Sequence, residues 1–449
     1  MIHDLKPYPA MKDSGVPWLG EVPEHWEVKR GKALFRCIDV RSSTGDEELL
    51  TVSSERGVVP RSSATVTMFK ADSYIGYKLC WPGDLVINSL WAWGRGLGVS
   101  QHHGIVSSAY GVYRLRPRFA EYAAYIHQLV RSTPFNWELQ VRSKGIWISR
   151  LQLTDEAFLG APFPLPPPDE QTAIVRFLDY ADRRIRRYIR AKQKLIKLLE
   201  EQVASRASEA MRHPACTHDR LGRVVRVHVR PITRDDAESY VALGLYNRGR
   251  GIFHKPPTLG AELGVSTFSW VEPGDLIISG QFAWEGAVAL ASSAEERTIV
   301  SHRYHLLRGI NDRTTTPYLW ALFRSDFGAM LLDQHSRGAA GRNRPLNLRA
   351  LLKEPVPIPP YELQVGVDNE VAATAPLRTQ AARAIELLRE FRARLFADVV
   401  TGKLDVREAA ARLPDDAEEP EALDEIDDES QLDETGVDDI DEMTEEGEA

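Results

Sequence analysis

Cysteine is scarce in this 449-residue chain: Cys37, Cys80 and Cys216 are odd in number and far apart. That count excludes the disulfide framework of a small secreted domain and offers no paired thiols for a zinc knuckle. It points to a reducing, cytoplasmic setting. The 12 histidines show no HExxH or paired Cys/His spacing, so no metal site is expected. No apolar run approaches the roughly 18 residues of a membrane span. The opening lacks the basic start and apolar stretch of a secretory signal, and no membrane partner is expected.

Catalytic signatures are missing as well. There is no GxxxxGK[ST] loop to cradle ATP phosphates, and no Asn/Asp-Pro-Pro-aromatic tetrapeptide of the adenine methyltransferases. Gly94-Arg95-Gly96-Leu97-Gly98 departs from GxGxxG spacing and reads as a flexible loop. Asp84 and Asp275 each follow Pro-Gly at the start of an expected strand, where a carboxylate caps the turn. The chain is therefore expected to be non-catalytic.

Positive charge is absent from the strongly acidic C-terminal segment. Asp415 to Ala449 holds 19 Asp/Glu and no Lys or Arg. The net charge of −8 therefore conceals a body, residues 1–414, with 56 basic against 45 acidic residues. Such a body suits a polyanionic partner, and the acidic segment 405–449 is expected to be disordered and solvated.

What the chain does have is a repeat, about 193 residues long. Pro162-Phe163-Pro164-Leu165-Pro166-Pro167-Pro168-Asp169-Glu170-Gln171 is matched by Pro355-Val356-Pro357-Ile358-Pro359-Pro360-Tyr361-Glu362-Leu363-Gln364. Trp81-Pro82-Gly83-Asp84-Leu85-Val86-Ile87-Asn88-Ser89 is matched by Glu272-Pro273-Gly274-Asp275-Leu276-Ile277-Ile278-Ser279. Trp91 and Trp93 correspond to Phe282 and Trp284, and Ser107 and Tyr110 to Ser301 and Tyr304. Strands are expected at Asp84–Ser89 and Gly111–Leu115, then a helix over Tyr122–Arg131. The second copy repeats the order at Asp275–Ser279, Tyr304–Leu307 and a helix near Pro317–Leu332.

A long helix is expected from Asp169, its N-cap, to about Met211, where His213-Pro214 ends it. Two heptad rows mark its seam: Leu178, Ile185 and Leu199, and Ile174, Ala181, Tyr188 and Leu195, with Lys192 as the interruption. At 1.5 Å per residue it spans roughly 60 Å. A second runs from about Glu362 to Thr401 and closes at Gly402. Its seam is Leu377, Ala381, Ala384, Leu388, Phe391, Leu395 and Val399, and Pro376 is expected to kink or break its first half. The fold class is α+β: two repeated α/β domains separated by two long antiparallel helices packed as a coiled coil, related by a pseudo-two-fold axis. The boundaries read 1–168, 169–212 (first helix), 213–360, 361–404 (second helix) and 405–449.

Basic and aromatic residues interleave in the loops of both copies. The candidate DNA-binding residues are Arg56, Lys78, Trp93, Arg95, Arg142, Lys144 and Trp147 in the first, and Arg248, Arg250, Arg303, Arg337, Arg342, Asn343 and Arg344 in the second. Cationic side chains neutralise phosphates, and Arg or Asn pairs with guanine or adenine edges. The clusters Arg142–Trp147 and Arg337–Arg344 occupy the same place in the repeat, between the domain helix and the proline-rich exit.

The segment Met11 to Arg30, the Pro-Gly-Asp-Leu strands, the Pro-x-Pro-x-Pro-Pro exits and Val400-Thr401-Gly402-Lys403-Leu404 together resemble the specificity subunits of type I restriction-modification systems, over residues 8–407. The resemblance implies two target-recognition domains, each reading one half of a split, asymmetric site in double-stranded DNA. It implies helices that set the spacer and dock two methyltransferase subunits, with restriction subunits joining where a nuclease is present. Cofactors are then expected only in the partners: S-adenosylmethionine, with ATP and Mg for cleavage. Pro376 and the acidic segment depart from the family's pattern. A stand-alone DNA-binding regulator and an enzyme with a hidden site in one head are the rival readings.

Overall fold

The computed structural model describes residues 5–54, 56–63, 73–145, 151–338 and 344–414. Of the segment 405–449, expected to be disordered, residues 405–414 are folded, with the helix Arg407–Ala411 and with Val406 and Ala410 buried; those from Asp415 onward lie outside the described residues. The chain divides into two units, Met1–Arg190 with Glu386–Ala449, and Ala191–Ile385.

In the first unit the central antiparallel sheet has the order Phe35–Cys37, Gly111–Leu115, Asp84–Ile87, Leu97–Val99. Alternation of side chains along Asp84–Ile87 splits it between two cores. Leu85 and Ile87 pack with the helices Ala123–Val130 and Thr133–Arg142 and with Trp26, Phe135, Phe158 and Phe163. Val86 faces the other way, onto Val52, Val58, Cys80 and Val106.

The second unit has the same order: Val225–His228, Tyr304–Gly309, Leu276–Ser279, Val288–Leu290. Leu276 and Ile278 pack with the helical side, and Ile277 with Leu243, Leu245 and Val300. The expected strands are thus present in both copies, with ends shifted by a residue or two. The helix expected near Pro317–Leu332 is two helices, Thr316–Phe323 and Asp326–Gln334. Ser325 separates them, because its hydroxyl accepts from the Gly328 N–H and caps the second.

Each proline-rich exit forms a strand. Pro162–Leu165 pairs with Glu27–Arg30, and Pro355–Ile358 with Thr217–Arg220. Proline at alternate positions leaves Phe163, Leu165, Val356 and Ile358 with N–H groups to donate. Tyr125 reaches the Pro164 carbonyl at 3.0 Å and Tyr318 the Pro357 carbonyl at 2.8 Å. Gln171 and Gln364 donate to the carbonyls of Pro166 and Pro359, each at 2.8 Å. The repeated tyrosine and glutamine therefore hold the repeated turn into each long helix.

The first long helix is Pro168–Met211 and the second Tyr361–Val400. Asp169 is inside the first turn and is not the N-cap; Pro168 takes the first helical position, where its missing N–H costs nothing. Glu170 is buried and accepts from Trp26 Nε1 at 2.8 Å and from the Tyr8 hydroxyl, fixing the N-terminal arm. The second helix continues through Pro376 without a break, so of the expected kink or broken start the break does not occur. Proline removes a single ladder bond there, and twenty-four further residues extend the helix. Gly402, with φ +75°, follows as expected.

The seam differs from the heptad reading. Ile174, Leu178, Ala181, Ile185, Leu199, Ala381, Leu395 and Val399 are buried as expected. Tyr188 (54 % exposed), Leu195, Leu377 and Phe391 are exposed, and Ala384 and Leu388 only half-buried. Phe177, Val203, Ala207, Val367, Val371, Ile385 and Phe396 are buried in addition. Polar contacts accompany the apolar ones. Asp182 pairs with Arg392 in the first unit; in the second, Gln202 bonds Glu370 at 2.5 Å and Glu200 lies 3.9 Å from Arg378. In the second unit these partners run in opposite chain directions.

Candidate nucleic-acid interface

After its central strand, each unit turns through a short 3-10 segment carrying the aromatic pair. Ala92–Gly94 ends at Arg95, with φ +61°, and Ala283–Glu285 ends at Gly286, with φ +75°. The stretch Gly94–Gly98 is thus a built turn entering the strand Leu97–Val99, not a flexible loop. A Cβ at 94 would stand 2.1 Å from Trp91 Nε1, so any larger residue there would have to displace the indole.

Beside this turn, each unit closes a basic loop with an isolated bridge. Lys144 and Gln152 exchange backbone hydrogen bonds, and Ser336 faces Leu346. A residue at or next to each closure reaches the approach to the aromatic turn: Leu153 N–H, after the bridge, donates to Ser89 at 2.9 Å, and Leu346 N–H, in the bridge, to Gly280 at 2.7 Å. The two clusters singled out by sequence position therefore occupy equivalent places. Trp147, Arg342 and Asn343 lie outside the described residues.

The remaining candidates are placed as follows. Arg56 is exposed and donates to the Ser63 carbonyl at 2.6 Å; Lys78 is half-buried and donates to the Tyr110 carbonyl at 2.7 Å. Trp93 is half-buried, its indole N–H on the Leu90 carbonyl. Arg95 donates to Thr133 Oγ1 at 3.2 Å, and burial, then the charge of Arg392, lowers its pKa. Arg142 is paired with Glu138 at 2.6 Å on its own helix, and Lys144 is exposed. Arg248 and Arg250 are exposed on the turn after Leu243–Tyr246, with Arg250 stacked over Tyr246 at 5.1 Å. Arg303 is half-buried, with its carbonyl accepting from Gly280, and Arg337 is exposed. Arg344 stacks over Trp284 at 4.5 Å and pairs with Asp333 at 3.1 Å. Three regions thus adjoin in each unit: a hairpin turn, an aromatic turn and a basic loop.

Asp84 and Asp275 are turn caps, as expected, and more. Each accepts from the N–H at the start of its turn, Trp81 or Glu272, at 2.9 Å. Each is also fully buried against arginine. Asp84 takes Arg114 through two contacts of 2.7 Å, and Asp275 takes Arg230 and Arg308 at 2.8 and 2.6 Å.

Sequence reading missed Arg131 and Arg324, which hold the hairpin turns. Arg131 donates to the carbonyls of Ser53, Ser54 and Leu97 at 3.3, 2.6 and 2.8 Å, and Arg324 to that of Gly249 at 2.8 Å. Their spacing of 193 residues was the available signal. His127 packs against Gly57 and Gly98, accepts from the Val99 N–H at 3.2 Å, and is pushed down to about 4 by burial and by Arg131. Its folded pKa lies below the unfolded value, so its stabilising contribution is present above about pH 6.5 and is lost toward pH 4. We expect the full chain to lose about 2 kcal/mol across that window in urea titrations. His127→Asn should flatten this slope; an unchanged slope would show that another group titrates.

Among the described residues no helix is long and apolar enough to cross a membrane, and no group of His, Cys, Asp or Glu is placed to hold a metal ion. Neither the family models nor the curated proteins give a match. Solved structures do. One, described as "Structural basis underlying complex assembly and conformational transition of the type I R-M system", matches 85% of this chain and 99% of its own at 18% identity, with a TM-score of 0.53. The HsdS subunit from Thermoanaerobacter tengcongensis (85% and 98%, 17% identity, TM-score 0.37) and a type I system S subunit from M. genitalium (84% and 96%, 12% identity, TM-score 0.42) also match. The first shows a shared fold, and at that level the resemblance read from sequence is borne out.

Proposed function

We propose that this chain is the specificity subunit of a type I restriction-modification complex. Each unit's head reads one half of an asymmetric bipartite site in double-stranded DNA. The long helices, packed antiparallel as a coiled coil about an approximate two-fold axis, set the spacer and dock two methyltransferase subunits. The chain itself does no chemistry and works in the cytoplasm. Methyl transfer uses S-adenosylmethionine in the partners, and cleavage uses ATP and Mg where restriction subunits are present.

One observation carries this reading. Both units build the same sheet order and the same pair of tethered loops, yet fill those loops with different residues. A shared scaffold with diverged loops suits two readers of one kind of ligand with two sequences. The basic composition of residues 1–414 supplies the attraction to phosphate. The test is whether the methylation pattern of a host depends on this chain.

A further inference from the structure

Arg250 and Arg248 stand on a turn whose backbone is unusual. Arg248, Gly249 and Gly251 all have positive φ, +58°, +65° and +107°. The glycines adopt this freely, but Arg248 keeps a left-handed conformation only where its surroundings hold it. Arg324 does so from below: it donates to the Gly249 carbonyl at 2.8 Å, and a Cβ on Gly249 would stand 2.9 Å from its Cζ. Arg324 is itself held by the long helices. Its guanidinium stacks on Trp320 at 4.8 Å and pairs with Glu200 of the first long helix at 2.9 Å. Arg378 of the second long helix stacks on the same Trp320 at 5.1 Å and lies 3.9 Å from Glu200.

We propose that Arg324 is a positioning residue through which Glu200 and Arg378 set the turn that the second unit presents to its half-site. The inference rests on the DNA-reading function above. Glu200 and Arg378 act on sequence discrimination without touching DNA. A planar guanidinium suits this role, since it can stack, pair with a carboxylate and donate to a carbonyl at once; lysine cannot. The first unit keeps Arg131 at the repeat position, but His127 stands where the second unit has Trp320. Dependence on Glu200 therefore belongs to one half-site.

The test uses the full chain assembled with its methyltransferase partner, bound to duplexes carrying substitutions in either half-site. Arg250→Ala identifies the half-site read by the second unit. Glu200→Gln and Arg324→Lys should each reduce discrimination at that half-site at least tenfold and leave the other unchanged, which also shows the fold intact. Gly249→Ala, which presses on the guanidinium directly, should do the same. Full discrimination at both half-sites in Glu200→Gln and Arg324→Lys overturns the inference, as does equal loss at both. Failure of the unaltered complex to recognise any bipartite site would overturn the function itself.

Discussion

Replacing Asp275 with alanine should lower the stability of the chain by about 3–5 kcal/mol, the cost of removing one partner from a buried ion pair. The carboxylate is fully buried and is shared by Arg230 and Arg308, while also accepting from the Glu272 N–H. Its loss leaves two guanidiniums with Glu272, which is half exposed and 3.1 Å from each. Those charges cannot neutralise themselves, because arginine stays protonated. The midpoint of thermal unfolding should fall by roughly 10 °C, at about 2–4 °C per kcal/mol for a unit of this size. Asp275→Asn keeps an acceptor for Glu272 and should cost less. A midpoint within 2 °C of the parent's for Asp275→Ala would refute the reading of Asp275 as a buried carboxylate that holds Arg230 and Arg308.

Removing seven residues, two turns, from each long helix should shorten the preferred spacer and leave both half-sites unchanged. At 1.5 Å per residue the cut is roughly 10 Å, or about 3 base pairs at 3.4 Å each. The half-sites are expected to persist because the proposed reading loops belong to the heads, tethered by Arg131, Arg324 and the bridges at Lys144 and Ser336. Selection from duplexes of varied spacer reads the outcome. An unaltered spacer would remove the helices from their proposed role as a ruler.

The sheets were legible because Pro-Gly-Asp turns and apolar runs recur in both copies, and each run is buried on both faces. The proline-rich exits were legible as boundaries, but their strand character was not, since proline normally argues against pairing. The seam was only partly legible. Heptad rows drift against a 3.6-residue turn, and polar partners such as Asp182 with Arg392 take positions that an apolar row cannot predict. Arg131 and Arg324 bind backbone carbonyls, which leave no mark in sequence beyond their repeated spacing. Arg142 could have been anticipated as paired, because Glu138 lies four residues earlier on one helix. Counting cations overstated what faces solvent.

The most direct measurement is the map of methylated bases in a host with and without this chain. The account predicts one asymmetric bipartite motif, two unlike half-sites across a fixed spacer, methylated only when the chain is present. The same motif methylated in its absence would contradict the assignment of this chain as the reader.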